Sequence, residues 1–474
     1  MINRRTFIVA SSVGYAGMRF GAPTIARGDG FQMNQDRDLK QTNGGKAKST
    51  ILFFLCGGAS HIDTWDMKPN APDTYRSPFQ TIKTTSPEIR LCEHLPMTAK
   101  QAHHLALIHG VTDGGNATGD HHAGYYYQLT GKTPDSTFRT QGNDRRPYKD
   151  DWPFIGSVIG SVREQHPSLP QVITLPHMPS KKPYTRPGQF AARIGVANDP
   201  FFLKNDPVSP LKFLSPTLSV DKNLNGARLG DRDALRRSLD RARRDFDSSS
   251  IADTVDITNR KAISLLSASA TSNAFDLTAE SKKTRERYGE TVNGMSMLMA
   301  RRLVEAGVPF VTVFWKMNDS LKAKCSSAGS WDTHGNNFQC LSEDLLPEFD
   351  RAYSALIGDL AVREMLDDTL VVVNSEMGRK PRIGDRRSGG VAGAGRDHWT
   401  ACQSVLMAGG GVRGGQVFGA SDKLAEYPEQ HPVSPSDVAK TIYHSMGLSK
   451  VIVEDNQGRP YDLLSDGEAI KSLF

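Results

Sequence analysis

The chain has 474 residues, enough for one large domain or two to three ordinary ones. Apolar residues make up 38% and charged residues 23%, ordinary for a globular protein, and a formal net charge of +6 over this length is too mild for a nucleic-acid-binding surface. The five cysteines, Cys56, Cys92, Cys325, Cys340 and Cys402, are scattered without a C-x-x-C, which argues against a disulfide framework, an iron–sulfur cluster and a thioredoxin-like centre.

In chain order, residues 1–26 read as a targeting segment. Arg4 and Arg5 precede a short, weakly apolar run from Phe7 to Met18, and Thr24 and Ala26 are placed for signal-peptidase cleavage. Paired arginines with modest hydrophobicity resemble a twin-arginine signal, so the protein is expected in the periplasm or otherwise exported. Cys325 and Cys340 could pair in such an oxidising compartment. No later stretch is long and apolar enough to span a bilayer, so no stable membrane span is expected after cleavage. Residues 27–48 are polar and rich in Gly, Asn, Gln and Lys, and read as a linker.

Ordered structure is expected from Ser49 to the C-terminus. Thr50–Cys56 is a continuous apolar run that stops at Gly57-Gly58, the pattern of a strand buried on both faces. Leu105–Ile108, Pro309–Trp315, Thr369–Asn374 and Ser404–Ala408 look similar. Between them, Met295, Leu298, Met299 and Leu303 follow helical spacing, as do Phe338, Leu341, Leu345, Phe349, Tyr353, Leu356 and Leu360. Strands alternating with helices predict an α/β domain with a mostly parallel, doubly wound sheet. Residues 132–153 read as a long loop. Residues 221–290 read as a helical insertion, with Leu229, Leu235, Leu239, Ala242 and Phe246 as a narrow apolar stripe and the arginines as a solvated face.

The chemistry lies in where His, Asp and Glu fall relative to these strands. His61 and Asp63 follow the first strand, Asp332 and His334 precede a helix, Glu376 ends a strand, and Asp397 and His398 precede another. Open α/β sheets bind ligands beyond the carboxyl ends of their strands, so these groups would converge on one edge. Clustered carboxylates and imidazoles need a cation, since like charges at close range cannot all ionise unaided. The mixed donor set suits zinc, manganese or iron in preference to calcium, as one or two divalent ions. For each motif alone, a salt bridge or a helix cap is an equal explanation; Asp332, for example, could be an N-cap. Gly409-Gly410-Gly411 and Gly414-Gly415 make turns, because no phosphate-loop pattern accompanies them.

The strings GGASHIDTWD, LCEHLP, RRLVEAGVPFVTV, WDTHGNNF, TLVVVNSEMGR, GRDHW and AGGGVRGGQVFGASD, together with the paired arginines, resemble the exported bacterial family catalogued as domain of unknown function 1501. The wider pattern resembles the alkaline phosphatase/sulfatase superfamily. That resemblance implies a three-layer α/β/α sandwich of the alkaline-phosphatase kind. It also implies metal ligands at His61, Asp63, Asp332, His334, Glu376, Asp397 and His398. Glu376-Met377-Gly378 stands where the superfamily often has Asp-His-Gly. Sulfatases carry a modified Cys or Ser nine residues before the threonine of Leu-Thr-Gly. Here Leu129-Thr130-Gly131 places His121 at that position, with His122 beside it, so formylglycine chemistry is not expected.

His121 could act as nucleophile, general acid/base or ligand at an expected helix N-terminus that favours an anion. The alternative is that His121 and His122 are plain surface loop residues. Arg379 and Arg396 could fork onto a phosphate or sulfate, or pair with a ligand carboxylate. The expected function is an exported, metal-dependent hydrolase of a small anionic ester or of a sulfated or phosphorylated polysaccharide. The alternative is a non-catalytic exported protein that binds metal or polysaccharide on the same fold. A redox protein is a distant third, since no haem-attachment or dinucleotide-binding motif is present.

Overall fold

The computed structural model describes residues 45–474 apart from 182–183, 207, 215–272, 326, 385–393 and 456. The targeting segment, most of the linker and the apolar stripe from Leu229 to Phe246 lie outside the described residues.

Ten elements build most of the frame: β1 (Ser49–Phe54), β2 (Leu105–Val111), α1 (His121–Thr130), α2 (Ile155–Val162), β3 (Val172–Leu175), β4 (Phe201–Phe202), α3 (Val292–Glu305), β5 (Phe310–Phe314), α4 (Leu346–Val362) and β6 (Thr369–Asn374). Two further strands, β7 (Gln403–Ala408) and β8 (Gln416–Phe418), and a last helix, α5 (Pro435–Ser445), complete it. The eight strands form one sheet in the order β8-β2-β7-β6-β1-β5-β3-β4. Every neighbouring pair is parallel except the two made by β7, which runs antiparallel to both β6 and β2.

The unalternating runs are explained by two cores, one on each face. Ile51, Phe53 and Leu55 point into one, against Leu298 and Leu303 of α3 and Phe349, Tyr353 and Leu356 of α4. Leu52 and Phe54 point into the other, against Leu129 of α1, Ile155 and Ile159 of α2, and Val438 and Ile442 of α5. A strand covered on both faces has no reason to alternate. The result is a three-layer α/β/α sandwich with a mostly parallel sheet, as expected.

The helix expected from Phe338 begins at Asn337 and runs into α4 through a π-helical turn at Leu341–Leu345, where the Leu346 N–H donates to the Leu341 carbonyl. Pro347 follows at once; lacking an N–H, it removes one α-helical bond and favours this widened turn. Asn336, without a side-chain capping bond, holds the N-cap position of that helix, so Asp332 is not its cap. The loop expected over residues 132–153 contains a short helix, Ser136–Gln141, capped by the Asp135 side chain on the Thr137 N–H. Within this segment Arg145 is fully buried on Asp151, with both nitrogen–oxygen distances 2.5 Å. That ion pair gives a polar stretch a fixed shape. Among the described residues no helix is long and apolar enough to cross a membrane.

Candidate metal centre and cleft

The parallel strands β1, β2, β5 and β6 deliver their carboxyl ends to one edge of the sheet. Gly57, at the end of β1, has φ +120°, and a Cβ there would stand 2.2 Å from the Asp332 backbone nitrogen. Glycine therefore lets the Trp331–His334 segment lie directly against the strand end, fixed by a bond from Trp331 N–H to the Cys56 carbonyl at 2.9 Å. The Cys325–Cys340 disulfide, Cα–Cα 5.8 Å, closes the loop that carries Asp332 and His334. The second half of the centre comes from a short hairpin, Gly378–Arg379 paired antiparallel with His398–Trp399.

Three donor atoms converge between these halves. His334 Nε2 lies 3.0 Å from Asp332 Oδ1 and 3.1 Å from His398 Nε2, and His398 Nε2 lies 3.2 Å from the same Asp332 oxygen. His398 Nδ1 donates to the Gly119 carbonyl at 2.7 Å, which leaves its Nε2 as an acceptor. Asp397 Oδ1 stands 3.6 Å from His334 Nδ1, on the side where a ligating imidazole keeps its supporting carboxylate. Donors bonded to one tetrahedral zinc at about 2.0–2.1 Å stand roughly 3.3 Å apart, close to the spacings here. The donor set and its spacing fit a divalent ion. His121, Asp332 and His398, and separately His334, Asp397 and His398, also each offer donor atoms within 4.8 Å of one another.

His121 opens α1 at the expected helix start, beside the triad. Its Nδ1 lies 2.8 Å from Glu376 Oε1 and its Nε2 lies 3.4 Å from Asp332 Oδ2. Burial disfavours its charged form, but the hydrogen bonds to Asp332 and Glu376 prevail and raise its pKa. For Asp332 burial likewise opposes ionisation. The hydrogen bonds from His121, His334 and His398 and the Arg379 charge outweigh it and hold the carboxyl far below the usual range. Burial, with the nearby Arg379 and His121 charges, lowers the His398 pKa despite Asp332.

Several expected site residues stand elsewhere. Asp63 is not with the triad. It is fully buried and takes a two-point ion pair from Arg396, at 2.7 Å from Nε and 2.9 Å from Nη2, and also accepts from Ser60 and Asn337. His61 points away, with Nε2 donating to the Ala425 carbonyl at 2.8 Å. The reason is local: His61–Asp63 is a 3-10 turn with both side chains buried behind the strand end. Glu376 touches His121 and the Gly57 N–H, and His121 separates it from the triad. His122 faces the opposite way, with Nδ1 2.9 Å from the Arg145 carbonyl. Arg379 and Arg396 are both fully buried. Arg379 donates to the Gly57, Gly58 and Arg396 carbonyls and to Asp332, and Arg396 donates to Asp63, Pro381 and Tyr75. Neither is available to hold a substrate anion.

Beside the centre opens a cleft of about 470 Å³, whose lining includes His121 and Asp332 together with Arg186, Lys204 and Lys316. Sequence reasoning missed these three cations. Only Lys316 carried a signal, as the residue just past the apolar run Pro309–Trp315. The Cys56 thiol also lines the cleft, and burial, reinforced by the Glu376 charge, keeps it protonated.

No curated protein matches the chain. Among solved structures, a sulfatase from Pseudoalteromonas sp. is 11% identical with a TM-score of 0.37, the match covering 84% of this chain and 68% of that one. A phosphonate monoester hydrolase from Silicibacter pomeroyi is 13% identical with a TM-score of 0.37, covering 89% and 76%. TAB5 alkaline phosphatase is 13% identical with a TM-score of 0.33, covering 87% and 99%. A family model, described as protein of unknown function (DUF1501), matches residues 47–474. The chain belongs to that family.

Proposed function

We propose that the protein is an exported, metal-dependent hydrolase of phosphate or sulfate esters. The observation that carries the reading is the convergence of Asp332, His334 and His398 within 3.0–3.2 Å of one another, with Asp332 also lining a cationic cleft. These three residues would hold the ion, which supplies a Lewis acid and lowers the pKa of a water to about 7. The Gly119 carbonyl orients His398, so that donor atom is fixed before substrate arrives, and Asp397 stands 3.6 Å from His334 Nδ1 as a further carboxylate at the centre. His121, gripped by two carboxylates, holds a proton at the cleft wall and supplies it to a leaving oxygen as general acid. The positive charge of Arg186, Lys204 and Lys316 draws anionic substrates into the cleft, a role that the buried Arg379 and Arg396 cannot take. The segment of residues 1–26 would direct export.

A second reading is favoured by one observation. The position at which a nucleophile was sought holds His121, whose two ring nitrogens both face carboxylates, and the cleft thiol of Cys56 is held protonated. A non-catalytic protein that binds metal and polysaccharide would need nothing more. Turnover separates the two. Full-length protein loaded with zinc or manganese is expected to hydrolyse an aryl sulfate or aryl phosphate, and the double variant Asp332→Ala, His334→Ala is expected to lose both metal and turnover. Stoichiometric metal without turnover of either ester selects the binding protein, and turnover untouched in the double variant sinks both readings.

A further inference from the structure

The cleft holds more positive charge than one ester needs. Arg186, Lys204 and Lys316 come from three separate segments yet line one cleft, and among the described residues no carboxylate forms an ion pair with any of them. The Arg186 guanidinium lies over the Tyr125 ring, 4.8 Å from its centroid. Its Nη1 is buried without a hydrogen-bond partner, and so is Nδ1 of His177 in the same cleft. A guanidinium nitrogen buried with nothing to donate to is unfavourable, so a small rearrangement that gives it an acceptor is favoured. The unpaired cations thus belong to the cleft and not to the centre itself, which contributes only His121 and Asp332 to the lining. A volume of about 470 Å³ takes a group of one or two sugar rings in size, well beyond a bare sulfate.

We propose that this cationic lining is a subsite for a second anionic group, so that the substrate is a polyanion whose sulfate, phosphate or carboxylate sits beside the ester being cleaved. The proposal rests on the hydrolase reading for the position of the first anion. Arg186 makes the forked contact, Lys316 and the exposed Lys204 add charge, and Met317, half exposed, gives an apolar edge for a sugar face. Two sources share this chemistry, a small molecule with two anionic groups and a densely sulfated polysaccharide.

The test is calorimetric titration of full-length, zinc-loaded protein with galactose 6-sulfate, galactose 2,6-disulfate and a tetrasaccharide of the disulfated sugar. The disulfated sugar is expected to bind about tenfold or more tighter than the monosulfated one, the order of one charge-assisted hydrogen bond. Arg186→Gln is expected to erase that increment. Lys204→Met, at an exposed position, is expected to reduce it and covers the case in which the arginine variant misfolds. Lys48→Met, on the exposed Lys48–Asp368 pair, is the control for net charge and should leave the increment intact. Tighter binding of the tetrasaccharide assigns the polymer, and equal binding assigns the small molecule. Repeating the titration in a chelator separates the two readings. No zinc uptake with the increment intact overturns the metal hydrolase alone. Zinc uptake with equal affinity for the mono- and disulfated sugars, or an increment that survives both variants, overturns the polyanion subsite.

Discussion

Replacing Asp63 by Asn tests whether that carboxylate is structural. Asp63 and Arg396 have no exposed side-chain surface, and the pair is held at 2.7 and 2.9 Å. Asparagine keeps the shape but presents an amide to the guanidinium, leaving a buried cation uncompensated at a cost of about 3–5 kcal/mol. With an unfolding entropy of about 2.1 cal/mol/K per residue over roughly 400 residues, that cost lowers Tm by about 4–6 °C. The assay is thermal and urea unfolding of both proteins, with zinc and with chelator. Equal destabilisation in both conditions is expected. A loss seen only with zinc present would make Asp63 a metal ligand and refute the assignment. The pH dependence has a definite sign. Burial opposes ionisation of Asp63, yet the Arg396 charge and hydrogen bonds lower its pKa in the fold. Its stabilisation is therefore complete above the unfolded value of about 3.9 and is lost as pH falls through the lower folded value, so the two proteins should converge in acid.

Further predictions concern the centre and its supports. His398→Ala should weaken zinc binding by at least about 100-fold in a competition titration with a chelating dye, since loss of a mere supporting partner costs 10–100-fold. His121→Ala should lower kcat for an aryl ester by about 10²–10⁴-fold while zinc content holds. His122→Ala should leave kcat/KM unchanged and cost about 1–3 kcal/mol in unfolding experiments, because its ring serves the Arg145 carbonyl. The double variant Cys325→Ser, Cys340→Ser should cost about 3 kcal/mol and loosen zinc binding, because the disulfide closes the loop carrying two of the three donors. Unchanged metal affinity there would show that the loop is held by its contacts with Cys56 and Gly57 alone.

The frame was legible because its physics is local. Runs such as Thr50–Cys56 and Thr369–Asn374 lack alternation only when both faces are covered, and the two cores on either side of β1 supply that cover. Asp332, His334 and His398 were legible for a similar reason, since short motifs at strand ends reach a common edge. The strand-end rule fixes the edge but not the direction of each side chain. It therefore gathered His61 and Asp63 with the triad, whereas the 3-10 turn at His61–Asp63 turns one to Ala425 and the other to Arg396. Arginine beside a ligand motif was an even choice between anion binding and ion pairing, and burial decided it, because a fully buried guanidinium takes every carbonyl and carboxylate within reach. The cleft cations were invisible because Arg186, Lys204 and Lys316 share no motif and meet only through tertiary folding.

The central claim is that Asp332, His334 and His398 hold one divalent ion. Anomalous diffraction at the zinc edge, from crystals of full-length protein grown with zinc, tests it most directly. The account predicts a strong peak about 2.0–2.2 Å from His334 Nε2, His398 Nε2 and Asp332 Oδ1. No peak among those three atoms, or zinc bound only at His61 and Asp63, would contradict it.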